Sequence, residues 1–202
     1  MKNLVLISLF LLCNLAIFSQ SKGDSIRYTV TNVGYIDVSK KLELQSGDYK
    51  PQQSNKMVFQ QKGLNTSSTS SRDTYVRLII ETIVGSIGDY EKLYSKVDMS
   101  VSEMKEISES YKQALIQSFR GTGLKLLSWH GVSVEKINGQ NCLKCSYLRQ
   151  LNDNFPVEVE MYFFQNNDRK HTVTISYRQS EKTIWLPVLM KCLNSFKITN
   201  IK

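Results

Sequence analysis

From Leu4 to Ile17 almost every position is apolar, and no run of that length returns later in the chain. Elsewhere apolar residues are spaced in two ways. Steps of two, the period of a half-buried strand, mark Tyr35-Ile36-Asp37-Val38, Thr74 to Val84, Leu124 to Trp129, Val132 to Ile137, Cys142 to Leu151, Val157 to Gln165 and Lys170 to Arg178, and Lys56 to Gln61 also reads as a strand. Steps of three and four mark two helices. In Ser100 to Phe119, Val101, Met104, Ile107, Tyr111, Leu115 and Phe119 form one stripe, and Ser100 with Glu103 spells a capping box. Gly121 and Gly123 end it. In Glu181 to Ser195 the stripe is Trp185, Leu189, Cys192 and Phe196, with Pro187 expected to bend the first turns or delay the regular helix.

Asn138-Gly139 and Asn166-Asn167-Asp168 are turn signals between the late strands, which therefore form an antiparallel meander. If Tyr147 faces Val159 and Met161 faces Val173, one side of the sheet gathers Leu143, Cys145, Tyr147, Val157, Val159, Phe163, Val173, Ile175 and Tyr177. The other side is mixed, with Lys144, Glu158, Glu160, Tyr162, Phe164, Thr174 and Arg178. Before the first strand, Gln20 to Gly34 is expected as an extended lead-in. Lys40 to Asn55 reads as an irregular connection, and Asn65 to Ser71 as an exposed Ser/Thr loop. The fold class expected is α+β: an antiparallel sheet of six to seven strands flanked by a middle helix and a C-terminal helix.

The apolar N-terminus changes where this domain is expected to work. Lys2, the run to Ile17, and Ser19 before polar Gln20-Ser21 have the anatomy of a secretory signal peptide, and the run is shorter than the roughly 20 residues of a membrane span. Cleavage near Ser19 takes 19 residues from 202 and leaves 183, a size suited to a single domain over residues 35–202. Leu12 stands where a lipoprotein signal needs a small residue, so Cys13 belongs to the apolar run. The expected location is the periplasm or cell envelope.

The formal net charge of +8 could favour acidic partners or anionic headgroups. Its lysines and arginines are scattered among acids, however, without a block of like charge. Together with export, this argues against nucleic acid. Peripheral membrane contact is compatible but not required.

Candidate chemistry is sparse. Cys142-Leu143-Lys144-Cys145 has redox spacing, yet on a strand residues three apart point to opposite faces about 10 Å apart, too far to bridge. Zinc would need four ligands, and His130 and His171 are distant in sequence from this pair. No metal or cofactor site is therefore expected. An exported chain permits disulfides, and Cys145, on the drier face, is the choice to bridge Cys192, against three free thiols. His171 reads as a structural histidine and His130 as part of a turn beside Gly131. Glu158 and Glu160 have the look of a same-face solvent ladder rather than a glycosidase pair. The nucleophile-elbow, zincin, P-loop and dinucleotide motifs do not occur.

The order strand, long middle helix, strand, Asn138-Gly139 turn, three antiparallel strands and terminal helix resembles the PsbP/Mog-type fold, to which the bacterial envelope protein DcrB also belongs. The segments that carry it are NGQNCLKCSY, starting at Asn138, and LNSFKI, starting at Leu193, within Tyr35 to Ile198. The resemblance implies an antiparallel sheet flanked by helices, in proteins that mostly bind partners or assist assembly without catalytic residues. Gln20 as a new N-terminus resembles exported proteins of the Bacteroidetes.

The reading is an exported, non-enzymatic binding or accessory module with an envelope protein as its expected partner. Its ligand-binding residues would be Arg77, Glu81, Tyr162 and Arg178 on the mixed sheet face, which the middle helix could also cover. The alternatives are a small envelope hydrolase acting on glycan or peptidoglycan, and a structural envelope subunit.

Overall fold

A computed structural model of the chain describes residues 22–30, 33–46, 50–51, 53–66, 73–93 and 100–199. The leader expected over residues 1–19 and most of the Ser/Thr loop fall outside them. Two antiparallel sheets and two helices make up the α+β fold. The larger sheet has seven strands: β3 (Leu42–Leu44), β4 (Lys56–Gln61), β5 (Val76–Val84), β6 (Leu124–Ile137), β7 (Gln140–Leu151), β8 (Val157–Gln165) and β9 (Arg169–Arg178). Their spatial order is β3-β4-β5-β9-β8-β7-β6. The smaller sheet places β2 (Gly34–Ser39) between β1 (Ser25–Val30) and the two-residue β10 (Lys197–Ile198).

Helix α1 (Val101–Phe119) starts where the capping box requires. Ser100 Oγ accepts from the Glu103 N–H at 3.2 Å, and Glu103 accepts from the Ser100 N–H at 2.7 Å. The Ser100 hydroxyl, which donates to the same carboxylate at 2.8 Å, and the Ser100 N–H hold the Glu103 carboxyl below its ordinary pKa. Helix α2 (Lys182–Ser195) contains Pro187 inside its span and follows a 3-10 turn at Gln179–Glu181. Its buried face of Trp185, Leu189, Cys192 and Leu193 offsets the backbone hydrogen bond that the proline removes.

Three elements are more regular than their sequence patterns suggest. The expected lead-in contains β1, whose residues Ser25 to Val30 pair with Ser39 to Gly34. The irregular connection contains β3, paired with β4. The two strands expected around His130 are one long strand, β6, with irregularities at Leu126/Ser128 and Trp129/Gly131. Gly131 takes φ 102° there, a left-handed value that glycine reaches without a Cβ penalty. His130 is thus in a bulged strand and not in a turn. Asn138 and Gly139 do form the tight turn, with φ 47° and 81°.

The register between β7 and β8 sets Tyr147 opposite Val159, as the alternation requires. Between β8 and β9 it differs by one residue, because Met161 faces Thr174 and Tyr162 faces Val173. A shift of one exchanges the faces of the whole strand. Val173, Ile175 and Tyr177 consequently leave the Leu143–Cys145–Tyr147 side and join Tyr162 and Phe164 on the other.

The physical reason is that both faces are covered. Helix α2 and the small sheet bury Val76, Leu78, Ile80, Val173 and Ile175 against one face. Tyr111, Leu115 and Phe119 of α1 pack on Leu143, Cys145, Tyr147, Val159 and Phe163 on the other.

Candidate functional site: an arginine–aromatic end of the sheet

Helix α1 packs over β6 to β8, so the same face at β5 and β9 carries a polar surface. Its rows follow from the register. Arg149, Val157 and Arg178 lie side by side, and the Arg178 N–H donates to the Tyr75 carbonyl at 3.0 Å. The next row contains Val159, Ser176 and Arg77; two rows further are Phe163, Thr172 and Glu81.

At the first two rows, three guanidinium groups meet two aromatic rings. Tyr75 and Phe155 are 5.9 Å apart between centroids. Arg178 stacks over Phe155 at 3.8 Å, and Arg77 lies 5.2 Å from the Tyr75 ring. Arg149 Nη2 donates to the Tyr75 hydroxyl at 3.2 Å. Cation–π contacts of this kind contribute about 0.5–2 kcal/mol each, more where water is excluded.

The counter-charge is incomplete. Arg77 donates to Gln61 Oε1 and to the Val76 carbonyl, both at 3.1 Å, and pairs with no carboxylate among the described residues. Burial lowers its pKa, opposed by Tyr75, although a guanidinium keeps its proton throughout the physiological range. Arg178 has one acid nearby, Glu181 at 3.7 Å, and its buried Nε has no hydrogen-bond partner among the described residues. The cluster is therefore a positive, partly desolvated surface with donors in planar forks. It suits carboxylate or phosphate oxygens.

Of the four residues expected in one site, the structure brings Arg77 and Arg178 together. Glu81 is on the same face but two rows away, 3.9 Å from Lys56. Tyr162 is on the opposite face, buried under α2, where its hydroxyl donates to Glu160 at 2.6 Å. That correction follows from the one-residue register difference. Burial and the Glu160 carboxylate push the Tyr162 phenol well above its ordinary value. Arg149, Tyr75 and Phe155 were missed by sequence reasoning, yet two carry a signal. Arg149 has the parity of Tyr147, and Tyr75 that of Arg77, so each shares its neighbour's face.

The remaining candidates are structural in their contacts. Lys144 Nζ reaches Glu160 at 2.9 Å, and His130 Nε2 lies 3.3 Å from Glu158. Cys142 and Cys145 belong to the two different cores, as strand geometry requires, and burial pushes both thiols up to about 12. The Cys145–Cys192 pair is not brought together. Cys192 is in the α2 core while Cys145 is under α1, and all three cysteines of the described residues are free thiols. Among those residues no group of three or more His, Cys, Asp and Glu is placed to hold a metal, and no helix is long and apolar enough to cross a membrane.

Two sheets, a middle helix on one face and a terminal helix on the other define a PsbP-like fold. The solution structure of the cyanobacterial PsbP of Synechocystis sp. PCC 6803 is similar at TM-score 0.52 and 12% identity, over 89% of this chain and 95% of that one. A crystal structure from Bacteroides thetaiotaomicron VPI-5482 is similar at TM-score 0.49 and 8% identity, over 88% of this chain and 49% of the other. This chain thus spans about half the length of that protein. A Pseudomonas aeruginosa protein of unknown function is similar at TM-score 0.39 and 10% identity, over 86% of this chain and 96% of that one. At 12% identity the likeness to the cyanobacterial PsbP is one of fold. No family model matches the sequence, and no curated protein matches it.

Proposed function

We propose that the chain is an exported, non-enzymatic binding or accessory module of the cell envelope, and that Arg77, Arg149 and Arg178 hold an acidic segment of a protein partner. The observation that carries the reading is the arrangement of three guanidiniums around the neighbouring rings of Tyr75 and Phe155, with Arg77 paired to no carboxylate among the described residues. A folded protein that holds a cation partly out of water without a counter-ion loses stability by doing so, and a binding partner supplying the anion recovers it. The sequence pattern of residues 1–19 supports export, and the PsbP-like architecture suits a module of this kind.

The test is affinity capture from envelope extracts with the chain from Gln20, beside an R77Q/R178Q variant whose fold is checked by circular dichroism. Reproducible enrichment of an acidic envelope protein that the variant loses is the expected result. Equal enrichment by both proteins, or none by either, overturns the proposal.

A further inference from the structure

We infer a second binding site, independent of the arginine end and on the other side of the large sheet. It is the cleft between the β1–β2 hairpin and α2, and its ligand is a phosphate or carboxylate head joined to a short apolar segment. The cleft encloses about 580 Å³, within the range of about 300–1,000 Å³ common for small-molecule sites.

Its walls are fixed by hydrogen bonds that cross from strand to helix. The Asp37 N–H donates to Ser195 Oγ at 2.8 Å, and the Ser39 N–H to Cys192 Sγ at 3.3 Å. These bonds satisfy strand donors on the edge that the two-residue β10 leaves uncovered, since β10 pairs only with Tyr35 and Gly34. The cleft is consequently organised before any ligand arrives.

The charge around it is unbalanced. Lys40 and Lys41, at the end of the hairpin, and Lys191, on α2, all line the cleft and are exposed. Of the two acids in the lining, Asp37 is already held by Arg27 through bonds of 2.7 and 2.8 Å. Ammonium groups are compact, mobile charges that accept phosphate or carboxylate without demanding a planar partner. Pro187, Val188 and Cys192 supply an apolar flank beside them. Charged rim and apolar flank together select an amphiphilic anion over a fully polar one.

The same head chemistry belongs to a membrane lipid or to a soluble molecule, and three probes separate them. The ¹⁵N-labelled chain from Gln20 is titrated with decyl phosphate below its micelle threshold, with inorganic phosphate, and with phosphatidylglycerol or phosphatidylcholine vesicles. Decyl phosphate is expected to shift the amides of Ser39, Lys40, Lys41 and Cys192 saturably and more tightly than inorganic phosphate. K41E/K191E weakens that binding about tenfold or more, and R77Q/R178Q leaves it unchanged, which separates this site from the arginine end. A response to phosphatidylglycerol but not phosphatidylcholine vesicles supports a lipid source; decyl phosphate binding without a vesicle response supports a soluble one. Undisturbed amides, equal binding of inorganic phosphate, or insensitivity to K41E/K191E overturns the inference.

Discussion

His171 gives the most quantitative handle on the fold. It is fully buried on β9, its Nδ1 lies 3.0 Å from Thr82 Oγ1, and its Nε2 has no partner among the described residues. Burial, assisted by Arg169 and opposed by Asp168, brings its pKa down from 6.5 to about 4. The unfolded chain takes up the proton below about 6.5, while the folded chain resists until about 4. Stability is therefore intact above the unfolded value and falls as the pH drops through that window. The drop corresponds to about 3 kcal/mol, a large part of the 5–15 kcal/mol typical of a domain.

Urea unfolding at several pH values between about 7 and about 4 measures the slope. Carboxylates held below their ordinary values, such as Asp37 and Glu43, also lose stability on acidification. The difference between wild type and H171Q isolates the histidine: the variant is expected to lose less stability over the window, by up to about 3 kcal/mol. Parallel curves for the two proteins would refute the argument.

Three further outcomes follow from the contacts. Ser100→Ala removes both cap bonds of its hydroxyl and is expected to cost about 1 kcal/mol in urea unfolding, with α1 fraying first. Tyr162→Phe deletes the hydrogen bond to Glu160 but leaves Lys144 on that carboxylate, so a loss of about 1 kcal/mol is expected in the same assay. Unreduced protein beginning at Gln20 should yield three titratable thiols when unfolded, and slow or no reaction while folded because Cys142, Cys145 and Cys192 are buried; a single thiol on unfolding would restore the bridge.

Much of the fold was legible because its signals are local. The Ser100–Glu103 box, the Asn138-Gly139 turn and the alternation of β5 each act within a few residues, and each stands where the sequence places it. The relation between β8 and β9 was not legible. Alternation says which residues of one strand share a face, but the partner's face is chosen by what covers the sheet. Here two cores compete for the apolar residues. An expectation of one dry face places Val173 with Leu143, and puts Tyr162 on the face of Arg178. Arg77 and Arg178 share a face all the same, because β5 and β9 fix them near each other and near Tyr75. β1 and β3 escaped notice because they are short: Ser25–Val30 alternates polar and apolar residues over only six positions, and Leu42–Leu44 is three residues between charged and polar neighbours.

The claim that the arginine end is an anion-holding surface is tested most directly by titrating the ¹⁵N-labelled chain from Gln20 with a short polyglutamate peptide. Saturable shifts confined to the amides of Tyr75 to Arg77, Arg149, Phe155 and Ser176 to Glu181, abolished by R77Q/R178Q and weakened by added salt, are the predicted result. Shifts elsewhere only, or shifts that the double variant retains, would contradict it.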